Sequence, residues 1–374
     1  MADIDQDAWA FKAWLSNEKA LNFQTSEFKE QPSEHEISLF PSGVDQAAAL
    51  TVLRACKVNI VAVAAGLQEI IIGLQTMPSR RDEPVLPSRT RTGHAISYQR
   101  IRKPQPTLPT GAVHLAPSAA LHAGFYPCGS SISAADRPAT GTLGCLVTKD
   151  GKIYGLTNNH VTGKYSQTKP GMPILAPGLV DAQPGNLDPF TIGHHAHCAP
   201  WTTGTPENVP ILGNLDLALF EISNKNRVTS HQGRHFDTPV VVAKTTDVRR
   251  AHHTSVWKVG RTTDLTSGFL TGQATGSIEV FMNDPAFKSP VHFDNALMVR
   301  DPANGAFARP GDSGSLVVWK KNGQYEAVGI VFCVNFNDRM TYLLPMEEVL
   351  ASLHVGLVAN HNVQRSSHQS GGTP

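Results

Sequence analysis

The chain has 374 residues, of which 40% are hydrophobic and 17% charged, with a formal net charge of +1. That length accommodates one large β domain or two moderate ones, in a soluble globular composition. Near-neutral charge gives no general drive toward nucleic acid or an anionic membrane surface.

The first segment, Asp5 to Asn22, reads as a helix with Phe11, Trp14, Leu15 and Leu21 on roughly one face. Exposed tryptophan is costly, so this helix is expected to dock on the body of the protein or on a partner protein. A second helix is expected to start at Ser42, where Ser42 and Asp45 form a capping box ahead of Ala47 to Cys56. Residues 1–57 are thus expected to form a helical extension.

Asn59 to Val63 and Ile70 to Ile72 are β-branched runs separated by Gly66, which predicts a hairpin or two buried strands. The stretch Val58 to Leu74 is interrupted by Asn59, Gln68 and Glu69, short of the ~20 clean residues a membrane span needs. Thr76 to Thr92 and Arg102 to Pro117 are rich in proline, serine and basic residues and read as exposed loops around a strand at Ala95 to Arg100. Residues 58–118 therefore form a strand segment with Pro-rich loops.

From Thr140 onward the pattern is one of short strands divided by glycine, asparagine and aspartate. Strands are expected at Gly141 to Thr148, Lys152 to Thr157, Leu215 to Ile222, Val240 to Ala243 and Ser255 to Val259. Others are expected at Gly268 to Gly272, Leu297 to Arg300, Leu316 to Lys320, Ala327 to Cys333 and Thr341 to Leu344. Many short strands with helices only at the edges predict a mainly β protein, a barrel or sandwich. A last helix begins at Pro345, and residues 359–374 form a polar tail expected to be disordered.

Five cysteines (Cys56, Cys128, Cys145, Cys198 and Cys333) are odd in number and scattered, with neither a disulfide framework nor zinc-finger spacing. The acidic Met1 to Asp7 lacks an apolar core, so no secretory signal is expected and a cytoplasmic, reducing compartment is the expectation.

The chemistry centres on Arg309-Pro-Gly-Asp-Ser313-Gly-Ser315, followed by the apolar Leu316 to Trp319. Gly311 and Gly314 let the backbone turn sharply, and the amides of Gly311 and Ser313 can converge as an oxyanion hole. A serine hydroxyl needs a base. Among 16 histidines, His160 is the one delivered to a strand end, by Lys152 to Thr157. Asp216, within the apolar Leu215 to Phe220, is costly to bury without a partner such as an imidazole N–H. Taken singly, His160 reads better as a capping or packed residue, and Asp216 reads also as a solvent-facing one.

Gly144-Cys-Leu-Val147, Leu156-Thr-Asn-Asn-His160-Val161, Asn214-Leu-Asp216-Leu-Ala218 and Gly311-Asp-Ser313-Gly-Ser315 together resemble the chymotrypsin-like (trypsin-like) serine proteases. Val259 to Thr263 and Thr266 to Gly268 resemble the second barrel of bacterial members. The closest likeness is to the intracellular branch that includes plant narrow-leaf proteases, through Asn59 to Val63 and Pro173 to Pro177.

The resemblance implies two packed antiparallel β-barrels with the site between them: residues 119–235 carrying His160 and Asp216, and 236–358 carrying Ser313 and a C-terminal helix. It implies a Ser-His-Asp endopeptidase acting on protein or peptide substrates, with no cofactor. Phe307 falls at the base of the primary pocket and Phe332, Cys333 and Val334 at its wall, implying cleavage after apolar or small residues. Val161 stands where the family has a cysteine. No Ile-Val-Gly-Gly start is present to pair with Asp312, for which Arg309 is a local candidate. Two alternatives are a silent protease-fold scaffold that binds a partner through the N-terminal helices, and a metal-dependent hydrolase built on His194-His-Ala-His-Cys198.

Overall fold

The computed structural model describes residues 3–23, 39–104, 124–182, 190–199, 201–203, 213–285 and 287–363. Most of the expected loop Arg102 to Pro117 and the tail beyond Val363 lie outside these.

The protein is mainly β. In the C-terminal half, strands Ser255–Gly260, Leu316–Lys321, Gln324–Asn335, Met340–Pro345, Leu297–Arg300 and Asp264–Ala274 follow one another around a sheet. Asp264–Ala274 then pairs back onto Ser255–Gly260, from Ser255 opposite Phe269 to Gly260 opposite Asp264, and closes a barrel. A second, open barrel comes from the middle of the chain, in the order Cys145–Lys149, Lys152–Thr157, Ala218–Ile222, Phe190–Cys198, Pro173–Ala176, Ser131–Ala134 and Gly141–Thr142. Gly356–Leu357 adds outside Cys145–Lys149. Cys145–Lys149 and Gly141–Thr142 are separated by only Leu143 and Gly144, so one bent stretch of chain brings the sheet round on itself. Gly144 is required at that bend: a Cβ there would lie 2.0 Å from the Gly314 carbonyl oxygen of the other barrel. One buried cluster joins the two barrels, with Cys145, Leu156 and Leu219 from one side and Val259, Leu316 and Phe332 from the other.

The strands Val58–Ala64 and Glu69–Leu74 form the expected hairpin, and Ala95–Arg100 adds beside them. They extend the C-terminal barrel's sheet, with Ala62 opposite Ala274 and Val63 opposite Gln273. A hairpin not foreseen in the sequence, Ser277–Asp284 with Phe287–Asp294, projects from the same barrel. The expected strand at Val240 to Ala243 is replaced by irregular chain in which Val240 and Val241 are exposed. The strand expected from Leu215 begins only at Ala218, because Leu217 N–H turns back onto Leu215 O at 2.9 Å and closes a tight loop around Asp216.

The second helix is Gln46–Cys56, capped by Asp45, whose Oδ1 accepts from Ala48 N at 3.0 Å. It does not start at Ser42, because Gly43 follows with a left-handed φ of +101°. The first helix, Ile4–Asn17, buries Phe11, Trp14 and Leu15 on the 58–74 hairpin. Phe11, Trp14 and Phe40 form edge-on ring pairs at 4.9 to 5.5 Å, each adding about 1 kcal/mol beyond area burial. Buried Lys12 donates through Nζ to Thr275 O (2.8 Å) and Ser277 O (3.1 Å), tying the helix to the barrel.

Asp7 on this helix is buried against His94, with Oδ2 to Nδ1 at 2.7 Å. Burial raises its carboxyl, but hydrogen bonds from Thr90, Thr92 and His94 outweigh that and hold it below its ordinary 3.8. A depressed carboxyl stabilises the fold above its unfolded value and loses that contribution as pH falls through the folded one. Protection factors of the Phe11 and Leu15 amides in hydrogen exchange are therefore expected to fall selectively below pH 3.8. Asp7→Asn should lower them already at neutral pH.

Candidate active site

Strand Lys152–Thr157 ends in extended Asn158, and a wide helical turn, Asn159–Gly163, carries His160. Asn158 Nδ2 donates to Asp216 O at 2.6 Å, locking this turn to the loop before Ala218. One residue then uses both oxygens of the Asp216 carboxylate. His160 N donates to Oδ1 at 2.9 Å, and the ring Nδ1 bonds Oδ2. With its proton directed to the carboxylate at Nδ1, the ring keeps Nε2 as its free acceptor. Nε2 is buried and has no hydrogen-bond partner among the described residues. Both side chains are 0% exposed, so a neutralising partner for the carboxylate matters energetically.

The main chain of His160 is held as well. Arg137 Nη1 donates to His160 O at 2.8 Å, its other arm pairs with Asp284 of the projecting hairpin, and its guanidinium lies 5.3 Å from the Tyr165 ring centre.

Ser313 sits between the barrels, 2% exposed, and its carbonyl accepts from Thr142 N at 2.9 Å. Thr142 Oγ1 donates to Gly311 O (2.7 Å), while Thr157 Oγ1 donates to Thr142 O (2.8 Å). The serine loop is thereby fastened to the two strands that frame His160. Gly311 and Gly314 have φ of +97° and +95°, and the amides of Gly311 and Ser313 have no acceptor among the described residues. No hydrogen bond joins Ser313 to His160 among the described residues; catalytic hydrogen bonds of this kind commonly tighten only in the Michaelis complex.

A Cβ on Gly311 would stand 2.4 Å from Thr262 Oγ1 in a backbone region that penalises side chains. Gly311→Ala is expected to slow reaction of Ser313 with a fluorophosphonate by about 10²-fold or more, as loss of one oxyanion donor does elsewhere. Labelling time courses check this.

Asp312 is wholly buried and saturated: Oδ1 accepts from Thr262 N (2.9 Å) and Thr263 N (3.2 Å), Oδ2 from Thr263 Oγ1 (2.7 Å) and Arg309 N (2.9 Å). Arg309 thus contributes its amide. The cation is Lys258, fully buried, with Nζ 3.4 Å from Oδ2. Burial lowers the Lys258 pKa, and Asp312 opposes the shift without cancelling it. Beside it, buried Arg261 grips Asp181 of the other barrel with two nitrogens, and Asp181 also accepts from Ser131. Lys258, Arg261, Asp181 and Arg137 escaped sequence reasoning. A charged residue's neighbours in sequence do not reveal its partner in space.

The four residues assigned to the primary pocket are all buried but fall in two clusters. Phe307 and Val334 pack together inside the C-terminal barrel, and Phe332 and Cys333 line the inter-barrel core. Phe307 N donates to Asp301 Oδ1 at 3.0 Å and its carbonyl accepts from Thr266 Oγ1 at 2.6 Å, which fixes its backbone. The run His194 to Cys198 lies within strand Phe190–Cys198 and is dispersed by the pleat: His194 and His197 are exposed while His195 is buried, 3.5 Å from Cys198 Sγ. Burial drops His195 to a pKa of about 4 and raises the Cys198 thiol to about 12. Among the described residues no three His, Cys, Asp or Glu side chains are grouped to hold a metal ion, and no helix is long and apolar enough to cross a membrane.

Compared with known proteins, the chain matches no family model and no curated protein. Solved structures do resemble it. Protease A of Thermobifida fusca is 15% identical with a TM-score of 0.40, over 62% of this chain and 97% of that one. Cellulomonas bogoriensis chymotrypsin is 16% identical with a TM-score of 0.37, over 62% and 97%. A glutamic acid specific serine protease is 18% identical with a TM-score of 0.40, over 62% and 100%. These neighbours are chymotrypsin-like serine proteases. At that level of overlap the site stands on its own geometry.

Proposed function

We propose that the chain is a serine endopeptidase in which Ser313 is the nucleophile, His160 the general base and Asp216 its orienting carboxylate. The observation that supports this most is the two-point hold of Asp216 on His160, which leaves a buried Nε2 with nothing to accept from. Ser313 Oγ attacks the peptide carbonyl as its proton passes to His160 Nε2. The tetrahedral oxyanion is received by the Gly311 and Ser313 amides, and the imidazolium then protonates the leaving amine. Water deacylates the ester by the same route. Lys258 supplies Asp312 with an internal cation, so the serine loop is set without a cleaved N-terminus.

By the family resemblance Phe307 stands at the pocket base, and an apolar ring there favours cleavage after apolar or small side chains. The five unpaired cysteines fit the proposed cytoplasmic, reducing location. Digestion of a peptide library by wild type and by Ser313→Ala tests the reading. Sequence-selective cleavage by wild type alone is expected; equal cleavage by both proteins contradicts it.

A further inference from the structure

A cavity of about 400 Å³ lies where the N-terminal segment meets the far end of strand Gln324–Asn335. Lys57, Arg102, Lys103, Gln75, Asn335 and Phe336 are among its lining residues. None of the described lining residues is a carboxylate, although Asp338 sits just behind, accepting from Arg102 N and from Asn335 Nδ2 (2.7 Å). Arg102 and Lys103 are braced by carboxylates outside the lining, Asp338 at 3.3 Å and Glu279 at 2.6 Å. Exposed Lys57 has no side-chain partner among the described residues. Asn59 Nδ2 donates to Gln75 Oε1 at 3.1 Å, so the Gln75 amide presents its NH₂ end as the remaining donor. Arg102 and Lys103 are already neutralised by these partners, so Lys57 supplies the uncompensated charge, and with the Gln75 amide donor it makes this a receptor for a carboxylate.

Its position says whose carboxylate. Gly314 N to Val331 O (2.9 Å) and Val331 N to Ser315 O (3.0 Å) are the last bonds on the serine side of strand Gln324–Asn335. Beyond them, among the described residues, the backbone of Cys333 to Asn335 pairs only with Met340–Pro345 on the opposite side. The free edge starts beside Ser313 and runs into the cavity through Val334 and Asn335. An extended peptide added to such an edge advances ~3.3 Å per residue. For a peptide added antiparallel, which runs from the cavity toward Ser313, the cavity receives a side chain roughly three or four residues before the bond presented to Ser313.

We infer that this cavity is a substrate subsite that selects an acidic side chain upstream of the cleaved bond, so that the segment preceding the barrels takes part in specificity. The inference rests on the endopeptidase reading for its substrate, but the cavity's preference is measurable without catalysis.

Fluorescein-labelled random octapeptide pools with Glu, Gln or Lys fixed at the third and fourth positions are titrated onto full-length Ser313→Ala by anisotropy at low salt. The Glu pool is expected to bind about threefold to fivefold more tightly than the Gln pool, the scale of a single exposed charge pair. Lys57→Gln should shrink that ratio, and Lys57→Glu should shift preference toward the Lys pool, a gain that misfolding does not produce. Equal binding of the Glu and Gln pools, or a ratio indifferent to Lys57, overturns the inference. If wild type shows the acidic preference yet cuts no bound peptide and resists fluorophosphonate, the inference stands as a binding site and the endopeptidase reading fails.

Discussion

Ser313→Ala is expected to lower peptide hydrolysis by about 10⁴- to 10⁶-fold, the range seen when a hydrolase nucleophile is removed. The loss should fall on kcat, because in the proposed mechanism the side chain acts in bond making and not in peptide binding. Stability should change by no more than about 0.5 kcal/mol. The loop is held through the Ser313 carbonyl, the Asp312 carboxylate and the glycine φ angles, none of which involves Oγ. Steady-state kinetics paired with thermal melting separate the two: a large activity loss with an unchanged melt is expected. Unaltered turnover would remove Ser313 from the chemistry.

The second large effect is expected at Arg261. Its guanidinium and the Asp181 carboxylate are 0% and 1% exposed, and the pair spans the two barrels. Arg261 Nη1 also donates to Thr262 Oγ1 at 3.0 Å, on the floor beneath Gly311. Arg261→Met keeps much of the volume but leaves Asp181 charged and buried with only the Ser131 hydroxyl identified beside it. Removing one member of a buried pair costs about 3–5 kcal/mol, more than the pair itself is worth over an apolar replacement. Urea denaturation should show that loss, and the double variant Arg261→Met with Asp181→Leu should recover a good part of it. A single variant as stable as wild type would mean the carboxylate is satisfied elsewhere.

The fold class and several of the strands around the site were legible because glycine, asparagine and aspartate punctuate short β-branched runs. Lys152–Thr157 and Leu297–Arg300 match their expected limits, since turns bound them on both sides. The hairpin Ser277–Asp294 was missed: Glu279, Asn283, Asp284 and Lys288 interrupt its apolar pattern, and its stability comes from packing against the other barrel. His160 and Asp216 were readable because each is a polar side chain delivered by an apolar run. Their pairing was expected from the resemblance, but the loop at Leu215 to Leu217 that delivers Asp216 was not, since it shortens the expected strand. Lys258 illustrates the limit most clearly. A lysine between Trp257 and Val259 resembles a solvent-facing strand residue until the barrel closes and turns it onto Asp312. The local sequence offered Arg309 for that role, and chain proximity was the wrong guide to charge pairing.

The central claim is that His160 activates Ser313. Full-length wild type, His160→Ala and Ser313→Ala should be treated with a fluorophosphonate and the adduct mapped by peptide mass spectrometry. One adduct, on Ser313, is expected in wild type, with labelling of His160→Ala slowed by orders of magnitude and none on Ser313→Ala. An adduct elsewhere, or equal labelling of Ser313 with and without His160, would contradict the account.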